Sequence, residues 1–491
     1  MLKADVIKQW GENASVPKDN LKVQKAREGK RAIILSAMRS EEFNTTTNLE
    51  EIGVLLKDRP QGYLDKIDRI IKNLEDFHLQ LMNSQGADDT ILQEIKNMFE
   101  YLRNSIKSYL ENYADDSDKQ VWFDNDYTIW YRQWWNYQRL SLIWFWEVIS
   151  AKLNTLFFQP HYWEKVWNMM NIGGGNFPTF YNAKSTVGMN VSKILQKKDI
   201  VFIPWYLQGT GNVMQQMDRG YSDPTAALVA LWLKQWKNYE HDNDNDITLG
   251  IEKMVDGFMT WDPRIVDNPE LIRELNYLLA EEIVSETWPQ PKLLHAQALN
   301  WRVQEAGIPV KLYNPFSSSP GTLITRLAEN MPDGVFFVWW VEDIDTLVMS
   351  SGRMKKWFIA KTSSMLTKAW VNIKEPFWSA TEQSYAFSRQ KTDLEGLIDK
   401  IRRDFRLTHK KAGEFIELRQ DYSLVYCVGN MKDVVGTLND LTSAFKENNL
   451  NIKAITQWPE QRAIAIMVPK EDYKKTVRVL HDKLAIKKKP N

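Results

Sequence analysis

Cysteine is almost missing from this 491-residue chain. Cys427 is the one instance, which excludes an intrachain disulfide framework and any metal centre built from several thiolates. Such usage fits a reducing compartment, and the cytoplasm is the expected location. Histidine is sparse as well: the six, His78, His161, His241, His295, His409 and His481, include no pair at metal-ligand spacing. Net charge is absent, because 63 basic and 63 acidic residues cancel. No overall field therefore favours nucleic acid, and the short runs Lys410-Lys411 and Lys487-Lys-Lys489 are too small to supply one. No apolar run reaches the length that spans a bilayer, and residues 1–15 hold none that resembles a signal peptide. A soluble protein with neither membrane nor nucleic acid as partner is expected.

With 43% hydrophobic and 26% charged residues, the composition is that of a globular protein. The length exceeds what one hydrophobic core serves, so two or three domains are expected. Tryptophan is the excess: of 21, Trp122, Trp130, Trp134, Trp135, Trp144 and Trp146 crowd one stretch. Indole rings bury large apolar area while their N–H needs a partner, so the stretch reads as core or interface.

Residues 31–38 are apolar and β-branched, then small, as a buried strand feeding a loop is. From Leu49 to about Tyr113 the apolar residues Ile67, Ile70, Ile71 and Leu74, then Ile95, Met98, Phe99 and Leu102, recur at helical spacing. Breaks at Pro60-Gln-Gly62 and Ser84-Gln-Gly86 divide this part into successive helices. Strand at 200–204, helix at 226–236 and strand at 247–255 continue an alternation that predicts a layered α/β domain with a largely parallel sheet, closing near Ile324. Beyond Pro332 the texture changes, with strand at 336–341 and helices at 363–370 and 392–405. The last part reads strand 422–428, helix 434–448, strands 452–457 and 462–468, and helix 470–484, a small α+β unit of βαββα order.

Among the segments able to carry chemistry, Arg219 and Asp223 bracket Gly220 and Ser222 just before a helix beginning near Thr225. The N–H groups of that helix start suit an anion and Arg219 would add charge. Ser222 or Asp223 acting only as a helix cap is the competing interpretation. Asp242, Asp244 and Asp246 alternate as in a calcium loop, yet Ile247 stands where the turn needs glycine and Lys253 where a bidentate glutamate belongs. Gly173-Gly-Gly175 lacks the lysine and hydroxyl residue of a phosphate loop and reads as a connection.

The run Arg219-Gly-Tyr-Ser-Asp-Pro-Thr-Ala226 is similar to the aspartate kinase segment GRGGSDTTA, and Val255-Asp-Gly-Phe-Met-Thr-Trp-Asp-Pro-Arg-Ile-Val266 to DVDGVYTADPRIV. Leu294-His-Ala-Gln-Ala298 resembles LHPRA, Ile308-Pro-Val-Lys-Leu-Tyr-Asn314 resembles IPIRVRNTF, and Pro320-Gly-Thr-Leu-Ile324 resembles PGTLI. Val6-Ile-Lys-Gln-Trp-Gly-Glu-Asn13 sits where that family carries KFGGTS, and the tail from Tyr422 resembles its second ACT domain. Order and spacing agree along the chain. The resemblance implies an α/β fold: an amino-acid-kinase-like domain over 1–325, then ACT-like domains over 326–413 and 414–491. It implies ATP and Mg2+ as cofactors, L-aspartate as substrate, an amino-acid effector at the ACT domains, and a homodimer. By position, Lys8, Arg219 and Asp223 inherit catalytic roles. Gly11, Ser222, Lys253, Asp256 and Arg264 inherit nucleotide contact, and Ser36 and Asn48 aspartate contact; no protein-held metal site is expected.

The chain departs from the family pattern at several of these places. Trp10 replaces the first glycine of the loop, Glu12 and Asn13 replace its threonine and serine, and Lys253 and Met254 replace the threonine and aspartate at the nucleotide strand end. A glycine loop exists because only bare backbone lets phosphate approach closely. Two expectations therefore stand side by side: an ATP-dependent aspartate kinase, or a kinase-fold scaffold with regulatory or interaction function, including a redesigned sequence.

Overall fold

The computed structural model describes residues 3–9, 15–25, 27, 29–35, 48, 51–52, 54–56, 59–113, 150, 153–154, 166–168, 184–204, 222–239, 246–261, 265–286, 293–328, 331, 333–342, 344–350, 356–368, 371, 373–378, 382–388, 394–405, 415–457 and 459–485. The Trp-rich stretch from Trp122 to Trp146 and the Gly173–Gly175 connection lie outside them. By internal packing the chain divides into two compact units, Met1–Gly257 with Leu294–Arg326 and Phe258–Leu293 with Leu327–Asn491.

The first unit opens with β1 (Lys3–Gln9), α1 (Pro17–Lys25), β2 (Lys30–Leu35), and a helical hairpin of α2 (Tyr63–Ser84) and α3 (Asp89–Tyr113). It continues through β3 (Val166–Asn168), α4 (Lys184–Lys197), β4 (Ile200–Pro204), α5 (Ser222–Tyr239) and β5 (Asp246–Glu252). The chain then supplies β6 (Glu274–Asn276) and α6 (Tyr277–Glu286) to the second unit and returns for α7 (Trp301–Glu305), β7 (Val310–Tyr313) and β8 (Thr322–Thr325). The strands of the first unit lie in the order β3-β4-β2-β1-β5-β7-β8. All neighbouring pairs are parallel except β7 with β8, as the alternation of strands and helices predicts.

Successive side chains of a strand point to opposite faces, so each central strand serves two helical layers. Ile7, Ile33, Leu35 and Phe202 pack against α1 and the α2–α3 hairpin, in a cluster that also holds Leu74 and Phe99. On β1 the next residue, Lys8, faces the layer that contains α5. That helix is buried nearly all round from Ala226 to Leu233, and its small residues Ala226, Ala227 and Ala230 permit close approach to the sheet. The strand expected over 247–255 stops at Glu252. Its last ladder bond runs from the Lys253 N–H to the Tyr313 carbonyl at 3.0 Å, and past the end of β7 no partner remains, so Met254 and Val255 turn out to solvent.

The second unit holds two four-stranded antiparallel sheets. They are built from β9 (Gly334–Val341), β10 (Ile344–Ser350), α8 (Lys356–Lys368), β11 (Ile373–Trp378), β12 (Glu382–Ser388), α9 (Leu394–Phe405), β13 (Phe415–Arg419), β14 (Tyr422–Asn430), α10 (Thr437–Glu447), β15 (Ala454–Gln457), β16 (Ala463–Pro469) and α11 (Tyr473–Ala485). The orders are β11-β12-β10-β13 and β15-β16-β14-β9. Strand pairing therefore departs from the boundary expected at 413/414: β13 closes the first of these sheets, and β9, which precedes that sheet in the chain, joins the second by pairing with β14. Hydrophobic patterning marks a strand but not its partner, and only the tertiary structure sends β9 across. Trp339 and Trp340, on β9, accordingly sit in the second sheet, where Trp340 stacks on Tyr473 with ring centroids 5.7 Å apart.

Each sheet buries one face under its helices, the first through Leu347, Tyr385, Ile401 and Phe405, the second through Val425, Leu441, Phe445 and Leu480. The opposite faces meet through Ile344, Ala386, Leu424, Tyr426 and Met467. Gly429 marks the tightest approach: a Cβ there would lie inside contact distance of the Gly334 carbonyl oxygen across the β14–β9 ladder. Gly429→Ala is expected to force these strands apart and lower stability by roughly 1–3 kcal/mol, the range for overpacking, with urea unfolding as the check. An unchanged midpoint would show that the ladder yields freely at this point.

Candidate active site

Lys8, one residue from the end of β1, pairs in register with Ile251 near the end of β5, and Lys253 follows directly after β5. Both lysines thus stand at the carboxyl edge of two adjacent parallel strands, the edge where open α/β sheets bind ligands. Between them comes Asp223, in the first turn of α5. Its Oδ1 lies 3.1 Å from Lys8 Nζ and its Oδ2 3.3 Å from Lys253 Nζ. The His295 backbone N–H donates to Oδ2 at 3.1 Å. All three side chains are buried: Lys8 is 2%, Asp223 3% and Lys253 4% exposed.

Charges withdrawn from water are retained only when paired and hydrogen-bonded, and in this cluster Asp223 pairs with both lysines. Burial by itself would raise the Asp223 pKa. Lys253 and Lys8, with the Lys8 and His295 hydrogen bonds, outweigh it and hold the carboxyl down to about 2. The Lys253 ammonium is pushed well below the usual lysine range by burial, and the like charge of Lys8 adds to this against the pull of Asp223. An aspartate in the first turn also meets the positive end of the helix dipole. Two lysines and the start of an 18-residue helix converging on one point form a site suited to a negatively charged group.

Of the residues predicted for the site, the structure joins Lys8, Asp223 and Lys253. Ser222 is buried at the first position of α5, Asp256 is half-buried three residues past Lys253, and Asn48 is half-buried in a helical residue away from these strand ends in sequence. Arg219, Gly11, Arg264 and Ser36 lie outside the described residues, as do Trp10 and Glu12. No motif marks Lys253, standing where the family has a threonine, as sharing Asp223 with Lys8. His295 takes part through its backbone, which no side-chain pattern marks. Cys427 is buried in β14 and its thiol is pushed up to about 12 by burial, which leaves it unreactive.

In the second unit a cleft of about 570 Å³ opens between the two sheets. Thr346, Glu382, Ser384 and Arg419 line it from the first sheet, and Thr456 and Met467 from the second.

These features define the class: an amino-acid-kinase-like layered domain with a largely parallel sheet, followed by two small α+β ACT-like domains. Within that class the chain resembles aspartate kinases in sequence and shares their fold. The ACT domain family matches residues 425–484. Aspartokinase 2 of Arabidopsis thaliana, a chloroplastic protein, is 23% identical over 271 residues, which cover 54% of this chain and 47% of that one. The chain thus spans about half the length of this relative. The crystal structure of Clostridium acetobutylicum aspartate kinase superposes with a TM-score of 0.70 at 18% identity, covering 98% of this chain and 100% of the other. Escherichia coli aspartokinase III, solved in complex with aspartate and ADP, gives a TM-score of 0.69 at 18% identity with coverages of 98% and 100%.

Proposed function

We propose that the chain is an ATP-dependent aspartate kinase that phosphorylates the side-chain carboxylate of L-aspartate, yielding 4-phospho-aspartate and ADP for lysine, threonine and methionine biosynthesis. The observation that carries this is the buried pair of lysines ordered by Asp223 at the carboxyl edge of β1 and β5. The presence of aspartate and ADP in the crystal structure of Escherichia coli aspartokinase III supports the choice of substrates.

Phosphoryl transfer leaves the protein little covalent work. What it must do is place acceptor and donor in line and neutralise charge on the transferred group. Lys8 and Lys253 would meet phosphate oxygens, Asp223 would hold both ammonium groups in place, and the N–H groups opening α5 would add to the same field. The aspartate carboxylate attacks the terminal phosphorus, the bond to the bridging oxygen breaks, and ADP leaves with that oxygen. Arg219, Gly11, Ser222, Asp256 and Arg264 keep their proposed nucleotide and phosphate roles, and Ser36 and Asn48 theirs toward aspartate. Among the described residues no group of three or more His, Cys, Asp and Glu side chains could hold a metal. Mg2+ in this chemistry needs none, because phosphate oxygens and waters supply most of its ligands and one or two carboxylates complete them. Asp256 is the first carboxylate after the Lys253 strand end.

An amino-acid effector is proposed for the ACT-like domains, with the cleft between the two sheets as one candidate seat, and a homodimer is proposed as the assembly. No described helix is long and apolar enough to cross a membrane. The reducing cytoplasm is the proposed location.

Two measurements test the kinase assignment. ATP with Mg2+ at a hundred times its Kd should stabilise the folded state by about 2.7 kcal/mol, read as a rise in thermal midpoint. A coupled assay of ADP release should show turnover that depends on aspartate, and Lys8→Ala should abolish it while the protein stays folded. No ATP-induced shift would instead identify a kinase-fold scaffold.

A further inference from the structure

We propose that Glu252, clamped by Arg27 and Tyr313, is a positioning residue that fixes the Lys253 ammonium on Asp223. The inference rests on the kinase assignment and extends it to a buried carboxylate with no part in the chemistry described above.

Glu252 is the last residue of β5 and immediately precedes Lys253, yet it is 0% exposed. Neighbouring residues of an extended chain point to opposite faces, so the two side chains leave the strand end in opposite directions. Glu252 Oε1 lies 2.9 Å from Arg27 Nη1 and accepts a hydrogen bond from the Tyr313 hydroxyl at 3.0 Å. The Arg27 guanidinium also sits over the Tyr313 ring, 5.2 Å from its centroid. Tyr313 grips the same strand end a second time, since its carbonyl accepts the Lys253 N–H at 3.0 Å. Gly250 makes room for this arrangement: a Cβ there would come within 3.2 Å of the Tyr313 hydroxyl.

A lysine stem has four rotatable carbons and cannot by itself define where its ammonium rests. Two restraints set that position here. Asp223 draws the tip, and the clamp fixes the backbone from which the stem departs. A buried charged group that loses a partner forces its surroundings to move, so an altered clamp would shift the origin of the Lys253 side chain. Displacing a catalytic group by about 1 Å lowers rate by as much as ~100-fold. Burial, reinforced by Glu252, holds the Tyr313 hydroxyl protonated well above its ordinary range, and Tyr313 and Glu252 outweigh burial to raise the Arg27 guanidinium, so neither partner of Glu252 changes charge at working pH.

The test is a double-mutant cycle in turnover with the full chain, pairing Glu252→Gln with Lys253→Met. Glu252→Gln is expected to lower kcat by roughly tenfold with little change in the KM for aspartate, and to have no further effect on the residual turnover of Lys253→Met, because coupled residues are non-additive. Tyr313→Phe, which removes one hydroxyl and keeps the packing, should act in the same direction by about threefold and covers the case in which Glu252→Gln fails to fold. An equal fold-loss on both backgrounds, or unchanged kcat in both clamp variants, overturns the positioning role while the kinase assignment stands. Absence of aspartate-dependent turnover and of any ATP-induced thermal shift in the unmodified chain overturns both.

Discussion

Replacing Asp223 by alanine is expected to destabilise the first unit by roughly 3–5 kcal/mol, the range measured when one member of a buried ion pair is removed. Turnover should fall by about a thousandfold or more, since preorganised charge supplies much of a phosphoryl-transfer rate. The physical reason is shared by both effects: Lys8 and Lys253 are buried and placed 3.1 and 3.3 Å from the same carboxylate. Without it, two like charges face one another in a site poor in water, and the His295 N–H loses its acceptor. Asp223→Asn keeps the shape and an acceptor for that N–H, so it should lose activity as fully and stability less. Adding Lys253→Met to Asp223→Ala should recover part of the lost stability, because one of the two like charges is removed. Denaturant midpoints and the coupled assay read both, and an Asp223→Ala variant that melts like the parent would mean that the cluster does not hold the strand ends together.

The sign of the acid dependence separates Asp223 from a second buried group. Its folded pKa of about 2 lies below the ordinary aspartate value of about 3.9. The stabilisation it contributes is present above that ordinary value and is lost only as pH falls toward 2. His78 acts earlier. It lies buried in α2, its Nδ1 donates to the Leu74 carbonyl at 2.7 Å, and Phe77 and Phe99 flank its ring. Burial lowers its pKa from 6.5 to about 4.

Above pH 6.5 His78 is neutral in both folded and unfolded chains and contributes no pH dependence. Below it the unfolded chain takes up a proton that the folded hairpin refuses, so stability falls with pH and levels off below about 4. A shift of this size corresponds to a loss of roughly 3 kcal/mol across the window. His78→Leu, of similar volume and without a titrating group, should abolish this portion of the slope. Thermal midpoints of the two proteins compared from pH 7 to pH 4 check it: the variant should gain relative to the parent as pH falls, and parallel curves would sink the assignment.

Much of the first unit was legible along the chain because its signals are local. The spacing of Ile67, Ile70, Ile71 and Leu74 describes one face of α2, and Gly62 and Gly86, both at positive φ, open and close that helix where the glycine breaks predicted. The site was legible in part. Lys8 and Asp223 could be named from the order of motifs, whereas Glu252 stood as one acidic residue ending an apolar strand, with Arg27 and Tyr313 far off in sequence. No period or spacing links such residues, since charged pairs across a fold leave no repeating pattern.

The amino-acid sequence by itself determined the alternation of strands and helices, the division into a layered α/β part and smaller α+β parts, and the identity of a lysine and an aspartate suited to phosphate. The first two follow from periodicity, which acts over a few neighbours, and the third from the resemblance of the motifs to those of aspartate kinases. Only the tertiary structure decided that β9 pairs with β14, that β5 stops where β7 stops, and that Lys8 and Lys253 meet at one carboxylate. Those outcomes depend on which strands lie side by side and which charges must share a partner once water is gone, and both are settled by contacts between residues from about thirty to more than two hundred positions apart.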